Sequence, residues 1–86
     1  MLKNKTLEMG GIYRKNFVKY FLAIGGITED QEIFKGSYWE VLVGSETWTM
    51  HGSLRIQHIV ITINVEEEKF DEFIAKFNLT FIRAGG

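Results

Sequence analysis

Three Gly-Ser pairs, at residues 36–37, 44–45 and 52–53, divide the middle of this chain into short segments of nearly equal length. Such pairs are typical of tight turns, because glycine accepts left-handed backbone conformations and serine bonds to nearby backbone groups. The segments that they separate are rich in β-branched and aromatic residues. The pattern therefore predicts an antiparallel meander with strands over 31–35, 38–43, 46–51 and 54–65.

The last of these strands changes its apolar face partway along. Leu54 and Ile56 share one face, whereas the odd-numbered apolar residues from 59 to 65 share the other. A bulge near Gln57-His58 would reconcile the two sets, and so would a strand that is covered on both faces.

Two segments have the apolar periodicity of amphipathic helices. In residues 13–24 the apolar stripe ends at Gly25-Gly26, a typical helix stop, and Arg14 lies off the stripe on the face expected to be solvated. The second helix is predicted from Asn64, which could cap it, with Glu67 placed as in a capping box. Its apolar stripe consists of Phe70, Phe73, Ile74 and Phe77.

Residues 5–9 fit a short first strand, and residues 79–83 fit a last strand or a docked tail after a stop at Asn78. The predicted fold is thus an α+β single domain over residues 1–86, in the order β-α-β-β-β-β-α-(β). A curved antiparallel sheet carries both helices on one face. The helices pack on the sheet through Phe17, Tyr20, Phe21, Phe70, Phe73 and Phe77.

The composition excludes several classes of function. The chain has no cysteine, which removes disulfides, thiolate zinc sites, iron–sulfur clusters and a thiol nucleophile. It has no apolar run of about 18 residues and no signal peptide at its start, so we expect a cytoplasmic protein without a membrane partner.

The formal net charge of −1 is a cancellation between two regions. Residues 1–26 carry a net charge of +4, and residues 27–86 carry −5. A nucleic-acid-binding domain normally presents a strongly basic face, whereas this chain has only a modest basic cluster at one end. We therefore expect no nucleic-acid partner.

The polar residues do not form a recognisable catalytic motif. His51 and His58 lack the spacing of metal ligands, and His58 is expected to be a strand residue that is hydrogen-bonded at its polar tip. The serines of the Gly-Ser pairs lack a nucleophile motif, and Gly10-Gly11 lacks the rest of a phosphate-binding loop. We expect a protein that is not an enzyme, with no catalytic residue, no metal site and no cofactor.

The chain ends in Gly85-Gly86, which resembles the tail that ubiquitin-like sulfur carriers thread into an activating enzyme. Glycine suits that role because its backbone passes through a narrow channel. One hypothesis is therefore a sulfur or cofactor carrier that is activated at its C-terminal carboxylate. A frayed natural terminus is the alternative reading of the same residues.

Three aromatic residues outside the helices support another hypothesis. Tyr38, Trp39 and Trp48 are expected on the open sheet face, where they could bind a protein partner or a second copy of the chain, since aromatic residues are enriched at interface centres. They could equally fill the core. A pocket between sheet and helices for a small ligand is a third hypothesis, limited by the size of the core because such pockets need about 300 Å³ or more.

The element order and the tail over residues 76–86 resemble the C-terminal domain of MoaD-related proteins, which has a TATA-binding-protein-like fold. In those proteins this domain follows a ubiquitin-like sulfur carrier of molybdopterin synthesis, and that carrier domain is not expected in this chain. The resemblance implies an accessory role linked to molybdopterin or sulfur-carrier pathways. It assigns no catalytic residue.

Overall fold

A computed structural model describes residues 1–85 of the chain. Its elements are β1 (Leu2–Gly10), α1 (Arg14–Ala23), β2 (Ile33–Lys35), β3 (Trp39–Val43), β4 (Thr47–His51), β5 (Leu54–Glu66) and α2 (Glu67–Gly85). The predicted α+β class and the order β-α-β-β-β-β-α are confirmed. None of the described helices is both long enough and apolar enough to cross a membrane.

The sheet is antiparallel and is organised around β5, the longest strand. β1 pairs with one edge of β5, whereas β3 and β4 follow one another along its other edge. β2 pairs with the far edge of β3, so the sheet order is β1-β5-β3-β2. The predicted meander is therefore wrong at Gly44-Ser45, where the chain continues along β5 instead of reversing.

The bulge lies in the partner of β5 and not in β5 itself. Val43 stands opposite Ile61 and Thr47 opposite His58, so the segment between β3 and β4 holds one residue more than the matching stretch of β5. Gly44 continues the ladder by donating its N–H to the carbonyl of Val60 at 3.0 Å. The bulge thus lies close to its predicted position along the sheet, but it lies in the strand segment that pairs with β5 and not in β5, where it was predicted.

The core lies between one sheet face and the two helices. Odd-numbered residues of β5 from 59 to 65 are fully buried there, so β5 alternates regularly and needs no internal bulge. Phe77 of α2 lies 5.9 Å from Phe21 and 6.1 Å from Phe17 of α1, measured between ring centroids. These stacked rings join the helices to each other above the sheet.

The start of α2 differs from the sequence prediction. Asn64 does not cap the helix, because it lies within β5 and its Oδ1 accepts a hydrogen bond from Nδ2 of Asn4 on the neighbouring strand, at 2.8 Å. The helix begins at Glu67, whose N–H donates to the carbonyl of Met1 at 2.9 Å.

The predicted last strand over 79–83 is also wrong, because α2 continues past Asn78 to Gly85. Phe81 follows Phe77 at helical spacing, and its ring centroid lies 4.9 Å from that of Phe77 and 4.6 Å from that of Phe17. Burial of this additional ring extends the apolar stripe of the helix, which outweighs the weak stop signal at Asn78.

Arg14 holds the first turn of α1 against the bulge instead of lying on a solvated face. Its side chain donates to the carbonyls of Gly44, Val43 and Gln31 at 2.9, 3.0 and 2.6 Å. Its backbone N–H donates to Oε2 of Glu46 at 2.8 Å. One side chain therefore satisfies three carbonyls where the sheet ladder is interrupted.

Candidate functional site

Trp39 belongs to the core. It is only 5% exposed, and its ring lies 5.8 Å from that of Phe21 and 5.4 Å from that of Phe73. A Cβ on Gly26 would approach the indole to 2.6 Å, and one on Gly36 would overlap the indole nitrogen. The expectation that Trp39 lies on the open sheet face is wrong, because it shares the covered face with the other odd-numbered residues of β3.

Tyr38 lies beside this tryptophan at a cleft between the two helices and the start of β3. The cleft encloses about 230 Å³ and is lined by Tyr20, Ile24, Tyr38, Trp39, Glu72, Phe73 and Lys76. Ligand pockets usually enclose about 300 to 1,000 Å³. The cleft is thus smaller than the pocket that the small-ligand hypothesis requires.

The charged groups of the cleft neutralise each other. Nζ of Lys76 lies 3.1 Å from Oε1 of Glu72, and this hydrogen bond lowers the pKa of the Glu72 carboxyl and raises the pKa of the Lys76 ammonium. Burial raises the pKa of the Tyr20 phenol above 10.0, although hydrogen bonding to Thr80 and the nearby Lys76 act in the opposite direction. The phenol therefore stays neutral at physiological pH.

A wider open groove of about 720 Å³ follows residues 25–37. Glu29 and Asp30 are its acidic groups, and Asp30 is already engaged, because its carboxylate accepts the N–H groups of Glu32 and Ile33 at 2.8 and 3.0 Å. These bonds lower the pKa of Asp30, with the bond from Ile33 the stronger cause. The carboxylate thus holds the loop through its Oδ1 atom.

Trp48 lies on a part of the molecule that the helices do not cover. We call residues 47–56 the hairpin arm, which comprises β4, the turn and the start of β5. All five residues of β4 are exposed, and the exposed fraction is 42% for Trp48, 60% for Met50 and 65% for Leu54. The arm thus presents three large apolar side chains to solvent.

The cross-strand pairs of the arm show which side of the sheet its side chains occupy. Trp48 stands opposite Gln57 and Met50 opposite Arg55, which places these side chains on the same face as the core. The Arg55 guanidinium lies 4.5 Å from the Trp48 ring centroid, a cation–π contact that holds the indole along the arm. Trp48 is therefore exposed, which is one of the two placements left open by the sequence, but it does not lie on the open sheet face.

The two histidines differ in their surroundings. Nε2 of His58 lies 2.9 Å from Oγ1 of Thr49, and its Nδ1 lies 3.8 Å from Oε1 of Glu8. The prediction that His58 is hydrogen-bonded at its polar tip is confirmed. His51 is exposed at the turn of the arm, where β4 ends.

The face of the sheet away from the helices is mainly polar. In the strands that the structure describes, the pairs on this face include Asn4 with Asn64 and Thr6 with Thr62, with Leu42 and Val60 exposed nearby. Tyr38, Trp39 and Trp48 all lie elsewhere, so the expectation that these aromatic residues lie on the open sheet face is wrong. The signal that it missed was the odd-numbered alternation shared by Trp39 with the buried valines of β3.

The C-terminal hypothesis concerns the end of α2. Gly85 is the last residue of the helix, and Gly86 lies outside the described residues. The structure therefore does not test activation of Gly85-Gly86.

Comparison with known protein families gives one result for this chain. The family model for archaeal MoaD-like proteins matches residues 5–86. The matched range contains α1, α2, the four strands β2–β5, most of β1 and the Gly-Gly tail. No curated protein matches the chain.

Proposed function

Because the chain belongs to the archaeal MoaD-like protein family, we propose that it is a non-catalytic protein-interaction module of molybdopterin or sulfur-carrier pathways. Its partner is a protein of such a pathway, and the first to test is the activating enzyme that adenylates sulfur carriers. The hairpin arm is the surface that binds it.

The exposure of the arm is the observation that carries this proposal. Among the described strands, β4 of the arm pairs with β5 alone, and the apolar side chains of the arm are left in water. Large apolar side chains grouped on an exposed surface are typical of interaction sites. Tryptophan and arginine in particular are enriched among residues that dominate binding energies, and here Trp48 and Arg55 are already in contact.

The chemistry of the arm defines the surface that it fits. Arg55 is its only residue of the types lysine, arginine, aspartate and glutamate, and the remaining side chains are apolar or hydroxyl-bearing apart from His51. The matching surface on the partner is an apolar pocket for the indole with a carboxylate beside it. That carboxylate would pair with the guanidinium once water is excluded.

Isothermal titration of the full chain with the purified activating enzyme tests the proposal. Trp48→Ala should weaken binding by at least about tenfold, the effect of losing a central aromatic contact. Leu79→Ala is the matched control, because Leu79 is a large exposed apolar residue on α2 and away from the arm. The proposal fails if the enzyme does not bind the wild-type chain, or if the two variants bind equally well.

The family match also favours a second candidate function, because it extends through Gly85-Gly86. In a carrier of this kind the terminal carboxylate attacks ATP, and an acyl adenylate forms as pyrophosphate leaves. Threading of the tail requires extended backbone, so the last turn of α2, which ends at Gly85, would have to unwind.

Intact mass measurement after incubation with ATP and the activating enzyme separates the two functions. A carrier gains the mass of an adenylate, and a variant that lacks Gly86 does not. An unmodified full chain rejects the carrier function and leaves the interaction function to be decided by the titration.

A further inference from the structure

The outer edge of β1 is a free strand edge nine residues long. Gly11 donates its N–H to the carbonyl of Gln57, and Glu67 donates to the carbonyl of Met1, both at 2.9 Å. These two bonds lie just beyond the two ends of the continuous pairing between β1 and β5, which runs from Leu2↔Glu66 to Gly10↔His58. In an antiparallel pair the bonded residues alternate, so the odd-numbered residues of β1 bond to β5. The even-numbered residues direct their N–H and C=O groups outward.

This edge has few of the devices that normally protect a free strand. Within the described residues β1 pairs only with β5, it contains no bulge, and the chain has no proline. Lysines often guard an edge, and β1 has two of them. Nζ of Lys3 lies 5.0 Å from the ring centroid of Phe70 and is thus directed towards α2, which leaves Lys5 as the exposed lysine of this edge. A long, regular and unpaired edge of this kind is a template for another strand.

We propose that the edge binds a second copy of this chain, with β1 pairing antiparallel to β1 of the partner subunit about a two-fold axis at Thr6. The two sheets then form one continuous sheet. Five outward residues on each chain donate and accept, which gives about ten N–H···O=C bonds across the interface. This proposal concerns the side of β5 opposite the hairpin arm and does not depend on the proposed function.

The side chains of β1 select this register. With Thr6 on the axis, Leu2 to Gly10 all pair, and Asn4 stands opposite Glu8 of the partner subunit, where its amide can donate to the carboxylate. On the covered face Lys5 stands opposite Leu7 of the partner subunit.

The neighbouring registers are less favourable. If the axis moves to Lys5, the two Lys5 side chains stand opposite each other, and like charges in that position are destabilising. If it moves to Leu7, then Leu2 and Lys3 lose their pairing partners. The register with the longest overlap is thus also one without opposed like charges, which favours a second copy over an unrelated strand.

Sedimentation equilibrium at micromolar concentrations tests the proposal with Thr6→Pro and its control Thr6→Ala. The N–H of Thr6 points outward, so proline removes an interface donor without removing a bond to β5. We expect a dimer for the wild type and for Thr6→Ala, and a monomer with the wild-type circular dichroism spectrum for Thr6→Pro. A monomeric wild type, or a dimer that Trp48→Ala dissociates and Thr6→Pro does not, overturns the proposal.

Substitutions of Asn4 test the register itself, and they do not depend on how well the proline variant folds. Asn4→Asp places a carboxylate opposite Glu8 of the partner subunit at two symmetric positions and should raise the dimer dissociation constant roughly fivefold or more. Asn4→Lys places an ammonium there and should lower it by a similar factor. Shifts of both variants in the same direction contradict the register, because loss of the Asn4–Asn64 bond is common to both.

Discussion

Two tryptophans nine residues apart in the sequence show how differently two regions of this molecule are built. Trp39 lies in the core under the helices and rests on glycine backbone, whereas Trp48 lies on the hairpin arm with an arginine as its contact. Both stand on adjoining strands that pair with the same edge of β5, and both face the same side of the sheet. What differs is whether a helix lies above them.

The bulge marks the boundary between the two regions. On its β3 side, aromatic rings from α1 and α2 cover the sheet, and on its β4 side every strand residue is exposed. Burial in this fold therefore depends on where the helices end, and not on the strand pattern, which is similar on both sides. The core provides stability, and the arm is free to carry an interface.

The largest expected effect is that of Trp39→Ala. Truncation of a buried aromatic residue removes its transfer energy and leaves a cavity, at a cost of about 3–5 kcal/mol. Marginal stability is normal for a domain of this size, so this loss should leave much of the protein unfolded at 37 °C. Urea denaturation followed by circular dichroism measures the change, and a loss below about 1 kcal/mol would contradict the core position of Trp39.

Gly36→Ala should have a smaller effect on the same side chain. The added Cβ would overlap the indole nitrogen of Trp39, so that the tryptophan or the turn must shift. Overpacking of this kind costs about 1–3 kcal/mol. The matched control is Gly11→Ala, in which nothing lies near the new Cβ but the φ of +77° is strained. Only Gly36→Ala should change the tryptophan fluorescence in the folded state, and an identical spectrum would contradict the packing of Trp39 on this glycine.

Arg14→Met should destabilise the bulge that marks the boundary between the two regions. It removes the donors to the carbonyls of Gly44, Val43 and Gln31, and hydrogen bonds from a charged group contribute about 1.5–3 kcal/mol each when solvent competes little. The bonds are partly solvated, so we expect a total loss of about 1–3 kcal/mol. Lys19→Met is the control on the exposed face of α1. Hydrogen exchange should accelerate at β4 more than at β1, and equal acceleration of the two strands would contradict a local role.

Much of this fold could be predicted because local signals and tertiary packing agree. The strands, the α1 stripe and the turns at Gly36-Ser37 and Gly52-Ser53 all follow from periodicity and turn chemistry. The MoaD-related resemblance is likewise confirmed by the family match over residues 5–86. The TATA-binding-protein-like fold stays a prediction.

Two of the failures share one physical cause, which is competition between a local signal and a distant partner. Gly44-Ser45 resembles a turn, but the ladder to β5 continues through Gly44 and makes it a bulge. Asn64 resembles a helix cap, but Asn4 on the neighbouring strand binds its side chain. A sequence pattern contains only the local signal and does not show the distant partner that competes with it. The position of Trp48 was uncertain for the same reason, because no pattern shows where a helix ends above a sheet.

The smallest expected effect on stability is that of Trp48→Ala. The indole is largely solvated, so the variant loses mainly the cation–π contact with Arg55, which contributes about 0.5–1 kcal/mol at an exposed site. Arg55→Ala should cost a similar amount, and the double variant should cost less than the sum because both single changes remove the same contact. Urea denaturation of the three variants measures this coupling. In the two variants that lack Trp48, the remaining Trp39 should keep the emission of a buried indole. A loss for Trp48→Ala as large as that for Trp39→Ala would show that the arm packs on the core in solution, and the division of the molecule into a stabilising core and a binding arm would then be wrong.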